Sequence, residues 1–280
     1  MEIFESIILG LVQGLAEFLP ISSSGHLALL QHLFGISGDK VLAFTTMLHF
    51  GTLVAVFIVY RKDIWDLIKE LGATLKDIFT GKGLRPNANP TRKLGLMIIV
   101  ATIPAAIVGI LFNDYVEAAF TSILLIGICL IITGTILWFA ERVGKNFRDI
   151  ERMNYRNAIT IGIFQALALL PGISRSGSTI VGGLLLGLTR ELAVKFAFLV
   201  SIPSVLGAFV LELPKAFDQG FDMDLAVPIV IGMIVAAVSG VIAIKTMIKV
   251  VTGKKLFIFS VYTWILGVAV VIYWIVTNVI

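Results

Sequence analysis

The chain has 280 residues, 58% of them hydrophobic and 14% charged, with a net charge of +4 and a mean hydropathy of +1.00. No soluble domain of that length needs so much apolar surface, and several runs of about 20 apolar residues can each cross a ~30 Å hydrocarbon core as a helix. Composition therefore excludes a soluble protein and predicts an all-α polytopic membrane protein. The positive charge sits in a few loops, where it reports topology and not nucleic-acid binding.

Residues 3–19 are predicted to form a first helical limb. Pro20 and a serine-glycine break at 22–25 end it, and a second short limb follows at 26–35. Neither is comfortably long enough to span alone, so the pair reads as a re-entrant hairpin. Such backbone survives at membrane depth only where it lines a cavity or is buried in protein. A full span is expected at 41–60. In the polar, basic stretch 61–93, Ile64, Ile68, Leu71, Leu75 and Phe79 recur at spacings of three and four, with Trp65 on the same flank. That pattern predicts an amphipathic helix lying in the interface. A loop at 81–90 precedes spans at 94–112 and 118–140. The linker 141–156 carries Arg142, Lys145, Arg148, Arg152 and Arg156. A second broken hairpin is predicted at 157–170 and 178–188, then spans at 191–212, 225–248 and 256–279.

Cys129 is the sole cysteine, which excludes an intrachain disulfide and argues against a cysteine metal site. The N-terminus lacks the basic region and cleavage site of a signal peptide, so the first apolar segment is expected to be retained. The loops 61–93, 141–156 and 249–255 are rich in Lys and Arg and are expected to be cytoplasmic. The loop 113–117 has neither residue, and 213–224 has one lysine against three aspartates, so both are expected outside. This assignment puts both termini outside. It also makes the two hairpins enter from opposite faces, an inverted-topology repeat with polar groups at the midplane.

The two halves resemble each other in sequence. Adding 152 to the first half's numbers pairs Gln13 with Gln165, Leu15 with Leu167, Ala16 with Ala168, Ile21 with Ile173, Ser22 with Ser174, Ser24 with Ser176 and Gly25 with Gly177. Gly10/Gly162, Leu33/Leu185, Gly35/Gly187 and Phe44/Phe196 extend the match without a gap. The chain thus reads as one membrane domain, 1–280, with repeats at approximately 1–140 and 153–280 joined by the basic linker. The polar cores have diverged. Glu17 faces Leu169 in the alignment, and Ser23 faces Arg175.

Polar groups at this depth are costly unless they have partners or chemistry. Pro171–Thr179 starts a helical limb, whose N-terminus offers free amides and partial positive charge. Arg175 adds a bidentate fork, and Ser174, Ser176, Ser178 and Thr179 add hydroxyls, with Gly172 and Gly177 between them. Together they suit a phosphate or diphosphate; the alternative is a serine-rich cap with Arg175 paired to a carboxylate. Glu17 lies one helical turn after Gln13, so both share a face. It can hold a divalent cation, act as a base, or neutralise Arg175. His26 follows Ser22, Ser23 and Ser24, a pairing suited to activating a hydroxyl or protonating a leaving oxygen. Ser23, the counterpart of Arg175, is the preferred serine nucleophile; attack by water, with His26 protonating the leaving oxygen, is the equally simple alternative. His32 and His49 rank lower, as histidines bonded between helices, and Lys195 reads as a snorkelling or field-setting charge. Gly14, Gly182, Gly183 and Gly187 read as packing positions. No P-loop, GxGxxG or cysteine–histidine cluster is present.

These motifs resemble those of the bacterial undecaprenyl-diphosphatases linked to bacitracin resistance. A Glu or Gln one turn before a Glu matches Gln13 and Glu17, Ser-Ser-x-Gly-His matches Ser22–His26, and Pro-Gly-x-Ser-Arg-Ser-x-x-Thr matches Pro171–Thr179. Gln13 is within the family pattern, although an amide cannot serve as a base. The resemblance implies two re-entrant hairpins in inverted repeats and release of the terminal phosphate of undecaprenyl diphosphate, leaving the carrier lipid of cell-wall synthesis. It implies functional roles for Glu17, Ser23, His26 and Arg175, and a magnesium or calcium ion at Glu17. It places the chain in a bacterial cell membrane with the cavity opening outward. The implied partners are the polyprenyl diphosphate and membrane lipid, with no nucleic acid; a homodimer is left open. The competing class is a lipid-phosphate transporter or flippase, because inverted repeats with broken midplane helices also serve transport.

Overall fold

The computed structural model describes residues 3–34, 39–143, 147–218 and 226–278, with side chains at all of these except 39–43 and 212–218. The described residues form twelve α-helices and no β-strand. Five are long and apolar enough to cross a membrane: α5 (Pro90–Leu111), α7 (Ile123–Val143), α10 (Arg190–Asp218, over its first 22 residues), α11 (Ala226–Thr252) and α12 (Phe257–Asn278). A sixth candidate is a bent pair that qualifies only together, α3 (Asp39–Val59) turning through 87° at Tyr60 into α4 (Arg61–Phe79). This is a multi-pass helical membrane protein.

Two pairs of helices too short to span form the broken hairpins, α1 (Ile3–Phe18) with α2 (Ser23–Leu33), and α8 (Tyr155–Leu167) with α9 (Arg175–Leu185). Pro20 cannot continue α1, and the chain restarts when Ser22 Oγ accepts the Gly25 amide at 3.2 Å. At the second break Gly172 takes φ +95°, and Ser174 Oγ accepts the Gly177 amide at 3.1 Å. A side chain on Gly172 would also strike the Ile126 carbonyl oxygen, 2.5 Å from its Cβ.

Among the boundaries that differ from those predicted, the second limb of each hairpin begins three residues early, at Ser23 and Arg175. The predicted loop 113–117 is a short helix, α6 (Asn113–Phe120), because Asn113 Nδ2 donates to Glu117 Oε1 one turn on, at 2.7 Å. The span predicted at 118–140 is accordingly displaced to 123–143. The span predicted to end at 212 continues as α10 to Asp218, through Pro203 and Pro214. The remainder of the predicted outer loop, 219–225, lies outside the described residues, as do Lys145 and its neighbours in the linker.

Between helices in lipid, packing of small residues replaces the hydrophobic drive. Helix α1 runs alongside α11 from Ser6, whose hydroxyl donates to the Pro228 carbonyl, to Phe18, which packs on Gly240. A Cβ on Gly10 would lie 2.5 Å from the Gly232 carbonyl oxygen. Its repeat counterpart Gly162 meets Ala101 in the same way, where α8 crosses α5. Gly127 and Gly267 face each other where α7 crosses α12. Beneath these crossings Phe18 meets Phe198 edge-on at 5.4 Å, amid Val56, Tyr60 and Ile180.

The three basic segments meet at one end of the bundle. Lys93 Nζ donates to the Glu151 carbonyl at 2.7 Å, and Lys195 pairs with Asp63. Glu141 accepts the Leu256 amide at 2.6 Å and pairs with Arg190 at 3.0 Å, and Arg190 also donates to the Val251 carbonyl. The start of α1, beside Pro228 at the other end of α11, is thus remote from these segments, whereas α8 begins among them.

Helix α4 leaves Trp65, Ile68, Leu71, Leu75 and Phe79 exposed along one flank. Its other flank is fixed to α5 by the buried Arg92, which donates to Glu70 Oε1 at 2.6 Å and Asp77 Oδ2 at 2.8 Å. Burial opposes the charge on Glu70, but hydrogen bonds from Asn89 and Arg92 outweigh it and hold its carboxyl below the usual range. The hydrogen bond from Arg92 does the same for Asp77, against partial burial. Carboxyls held low in the fold stabilise it above their unfolded pKa of about 4 and lose that contribution as pH falls through the folded values. The thermal midpoint in detergent is therefore expected to drop below about pH 4. Arg92→Gln should lower it at neutral pH and flatten the acid slope; an unchanged slope would exclude this latch.

Candidate active site

The tips of the two hairpins pack against each other. A Cβ on Gly25 would sit 3.2 Å from Gly172 Cα, and one on Gly177 would sit 3.1 Å from Pro20 Cβ. Gly25 and Gly177 are repeat counterparts, as are Pro20 and Gly172, so the two contacts are one contact made twice.

At this junction the chain gathers the residues that diverged. Gln13 and Glu17 are both buried on one face of α1. Ser23, the first residue of α2, donates from Oγ to Glu17 Oε2 at 2.7 Å. Arg175, the first residue of α9, donates from Nη2 to Glu17 Oε1. The single carboxylate is thus held by a serine from one half and an arginine from the other, at equivalent positions in the repeat. Gln13 Nε2 donates to Glu17 Oε2 at 3.1 Å.

His49, on α3, is the fifth member. Its Nδ1 lies 2.9 Å from Gln13 Nε2 and 3.4 Å from Glu17 Oε2, so it serves the carboxylate as a donor or Gln13 as an acceptor. The sequence pattern ranks it below His26 and predicts it bonded between helices, and it does bond from α3 to α1; what the sequence does not show is that its partners are Gln13 and Glu17. The usable signal is the cost of placing an imidazole in mid-span, which demands a partner. His26 does not join this cluster. Its Nδ1 is 2.8 Å from the Ser22 carbonyl oxygen and its Nε2 is 2.7 Å from the Tyr262 hydroxyl on α12.

The hydroxyls of the second tip are mostly occupied by the backbone. Ser174 caps α9 and lies 3.2 Å from Ser176, which also reaches the Leu19 carbonyl. Thr179 bonds back to the Arg175 carbonyl at 2.8 Å, and Thr133 ties the Gly172 carbonyl to the Ser174 amide. Ser22 and Ser24 form the matching pair in the first tip, at 3.2 Å. Ser178 Oγ is buried without a partner. A helix N-terminus such as that of α9, which begins at Arg175, can offer first-turn amides to an anion.

For a hard cation the available oxygens are those of Glu17 and Gln13 Oε1, which is buried with no partner. Among the described residues no three His, Cys, Asp or Glu side chains group as a metal site. Two side chains suit a magnesium-type ion only when substrate phosphates supply further oxygens, as is usual for that ion. The donor set therefore fits an ion that arrives with a diphosphate.

Residues 6–269 match the family model for bacitracin resistance protein BacA. The chain is 50% identical over 273 residues to an undecaprenyl-diphosphatase of Alkaliphilus metalliredigens, covering 98% of this chain and 99% of that one. It is 44% identical over 275 residues to one of Carboxydothermus hydrogenoformans, at 97% of each chain. It is 42% identical over 277 residues to one of Methanosphaera stadtmanae, at 97% of this chain and 98% of the relative.

Proposed function

The chain belongs to the bacitracin resistance protein BacA family, and from that membership and the site geometry we propose how it acts. It is a membrane phosphatase that hydrolyses undecaprenyl diphosphate to undecaprenyl phosphate and inorganic phosphate, returning carrier lipid to cell-wall synthesis. The observation that carries the mechanism is the shared hold of Ser23 and Arg175 on Glu17.

An arginine cannot serve a carboxylate and a diphosphate equally. When the headgroup enters, its greater charge draws the Arg175 fork from Glu17 Oε1, and the first-turn amides of α9 complete the anion cradle. Glu17 then loses its counter-charge while Ser23 stays bonded to Oε2. Ser23 Oγ attacks the terminal phosphorus, its proton passes to Glu17, and the bond from phosphorus to the bridging oxygen breaks. Undecaprenyl phosphate leaves, carrying the proton from Glu17. Water attacks the phosphoserine, its proton is taken at Glu17 and returned to Ser23 Oγ as the serine–phosphorus bond breaks, and phosphate departs. Gln13 and His49 keep Oε2 in place throughout. A magnesium or calcium ion would be held by Glu17 and Gln13 Oε1 and would offset charge on the diphosphate.

The two halves act as an inverted-topology repeat. Three observations support this: the doubled glycine contact between the tips, the matching crossings of Gly10 and Gly162, and the opposite ends at which α1 and α8 begin. The clustered basic loops support a cytoplasmic location for that end, with the termini outside; the membrane is read as the cell membrane.

Glu17→Gln tests the exchange. Phosphate release from undecaprenyl diphosphate by the purified variant should fall at least about a hundredfold, because an amide cannot take the serine proton. KM should fall too, since Arg175 is no longer spent on Glu17. Unchanged kcat would remove Glu17 from the chemistry, and a raised KM would contradict the exchange.

A further inference from the structure

Ser22 and Ser174 are repeat counterparts and cap their helices through the same bond, to the amide three residues on. Their backbones nevertheless differ. Ser174 has φ −72° and ψ 122°, ordinary extended values, whereas Ser22 has φ +71° and ψ 94°. A non-glycine residue rarely holds a positive φ unless its surroundings impose it.

What differs around Ser22 is the residue four positions on. His26 Nδ1 lies 2.8 Å from the Ser22 carbonyl oxygen, in addition to the His26 backbone amide at 3.2 Å. The counterpart of His26 is Ser178, whose hydroxyl has no partner, and the Ser174 carbonyl receives only the Ser178 amide, at 2.8 Å. A carbonyl oxygen can only accept, so His26 Nδ1 carries the proton. In the neutral ring Nε2 is then bare, and the Tyr262 hydroxyl at 2.7 Å donates to it. The two rings lie parallel, 10° apart in plane with centroids at 5.7 Å, so Tyr262 fixes both tautomer and ring orientation.

We propose that Tyr262 and His26 form a positioning chain that grips the Ser22 carbonyl, holds the turn in its left-handed form and thereby aims Ser23 at Glu17. His26 is then a positioning residue whose two nitrogens are committed to structure. Tyr262, 236 positions away on the last helix, is its orienter. The inference rests on the reading of Ser23 as the nucleophile.

The side-chain amide of asparagine can stand where Nδ1 stands, and that of glutamine where Nε2 stands. The test measures kcat and KM for phosphate release in His26→Asn, His26→Gln, His26→Ala and Tyr262→Phe, with thermal midpoints, beside Ser23→Ala. His26→Asn keeps the donor to Ser22 and should retain kcat within about tenfold, the scale of one or two neutral hydrogen bonds. His26→Gln and His26→Ala should fall at least about a further tenfold with little change in KM. Tyr262→Phe keeps the stacked ring and should lose about fivefold in kcat alone. If Asn and Gln are equally inactive at unchanged thermal midpoints, His26 transfers a proton and the positioning chain is wrong. Wild-type kcat in Tyr262→Phe overturns it as well, whether or not the His26 variants fold. Normal turnover in Ser23→Ala would instead overturn the reading of Ser23 on which the chain rests.

Discussion

Arg175→Ala is expected to release phosphate roughly 10³- to 10⁵-fold more slowly than the unsubstituted chain, the range lost when an arginine stabilising a transferring phosphoryl group is removed. Among the described residues Arg175 is the one arginine or lysine paired with Glu17, and it is the first residue of α9. Its charge is therefore needed on the diphosphate oxygens both in the bound state and as charge develops at the bridging oxygen. Arg175→Lys should recover little of the loss. An ammonium supplies the charge but not the planar fork, and its shorter donor geometry cannot span two phosphoryl oxygens. Removing the guanidinium also strips Glu17 of its counter-ion, so the thermal midpoint belongs in the measurement. A folded Arg175→Ala protein with near-normal turnover would show that the arginine serves the fold alone.

Ser23→Ala should lose roughly 10⁴-fold in kcat, because among the described residues no other hydroxyl is hydrogen-bonded to Glu17. Ser22 and Ser24 cannot substitute. Ser22 Oγ is engaged as the cap of α2, and Ser24 is directed to Ser22. KM should change little, since the anion cradle lies on the other hairpin. A chemical correlate separates nucleophile from bystander: acid quenching during turnover should trap phosphate on a peptide containing Ser23, and Glu17→Gln should alter the amount trapped. If water attacked directly, no phosphopeptide would form and Ser23→Ala would retain most of its activity.

Much of this site was legible in the chain because it is a duplication that diverged. Once the halves are aligned, the exchange of Ser23 for Arg175 and of Glu17 for Leu169 marks where chemistry replaced symmetry. Membrane depth makes each of those polar groups demand a partner. What alignment does not carry is contact between elements unrelated by the repeat. His49 reaches Glu17 from α3 and Tyr262 reaches His26 from α12, each from a span whose local sequence is otherwise apolar packing. His26 was placed beside the serines correctly in sequence and differently in space, because a side chain at i+4 meets the carbonyl of its own cap before it meets a neighbour's hydroxyl. The short helix α6 was missed for a related reason. Asn113–Asp114 has turn chemistry, and the bond from Asn113 to Glu117 that makes it helical lies within the same few residues. The span predicted over 191–212 continues as α10 to Asp218, through Pro214.

The central claim is that two hairpins, one from each half, supply a single reacting centre. The most direct measurement is a double-mutant cycle on phosphate release, using Glu17→Gln, Arg175→Ala and both together. Residues that act as a unit lose nearly everything at the first substitution. The double variant should then turn over within about threefold of Arg175→Ala alone. Losses that multiply, leaving the double variant slower by the product of the two, would mean that the hairpins act separately.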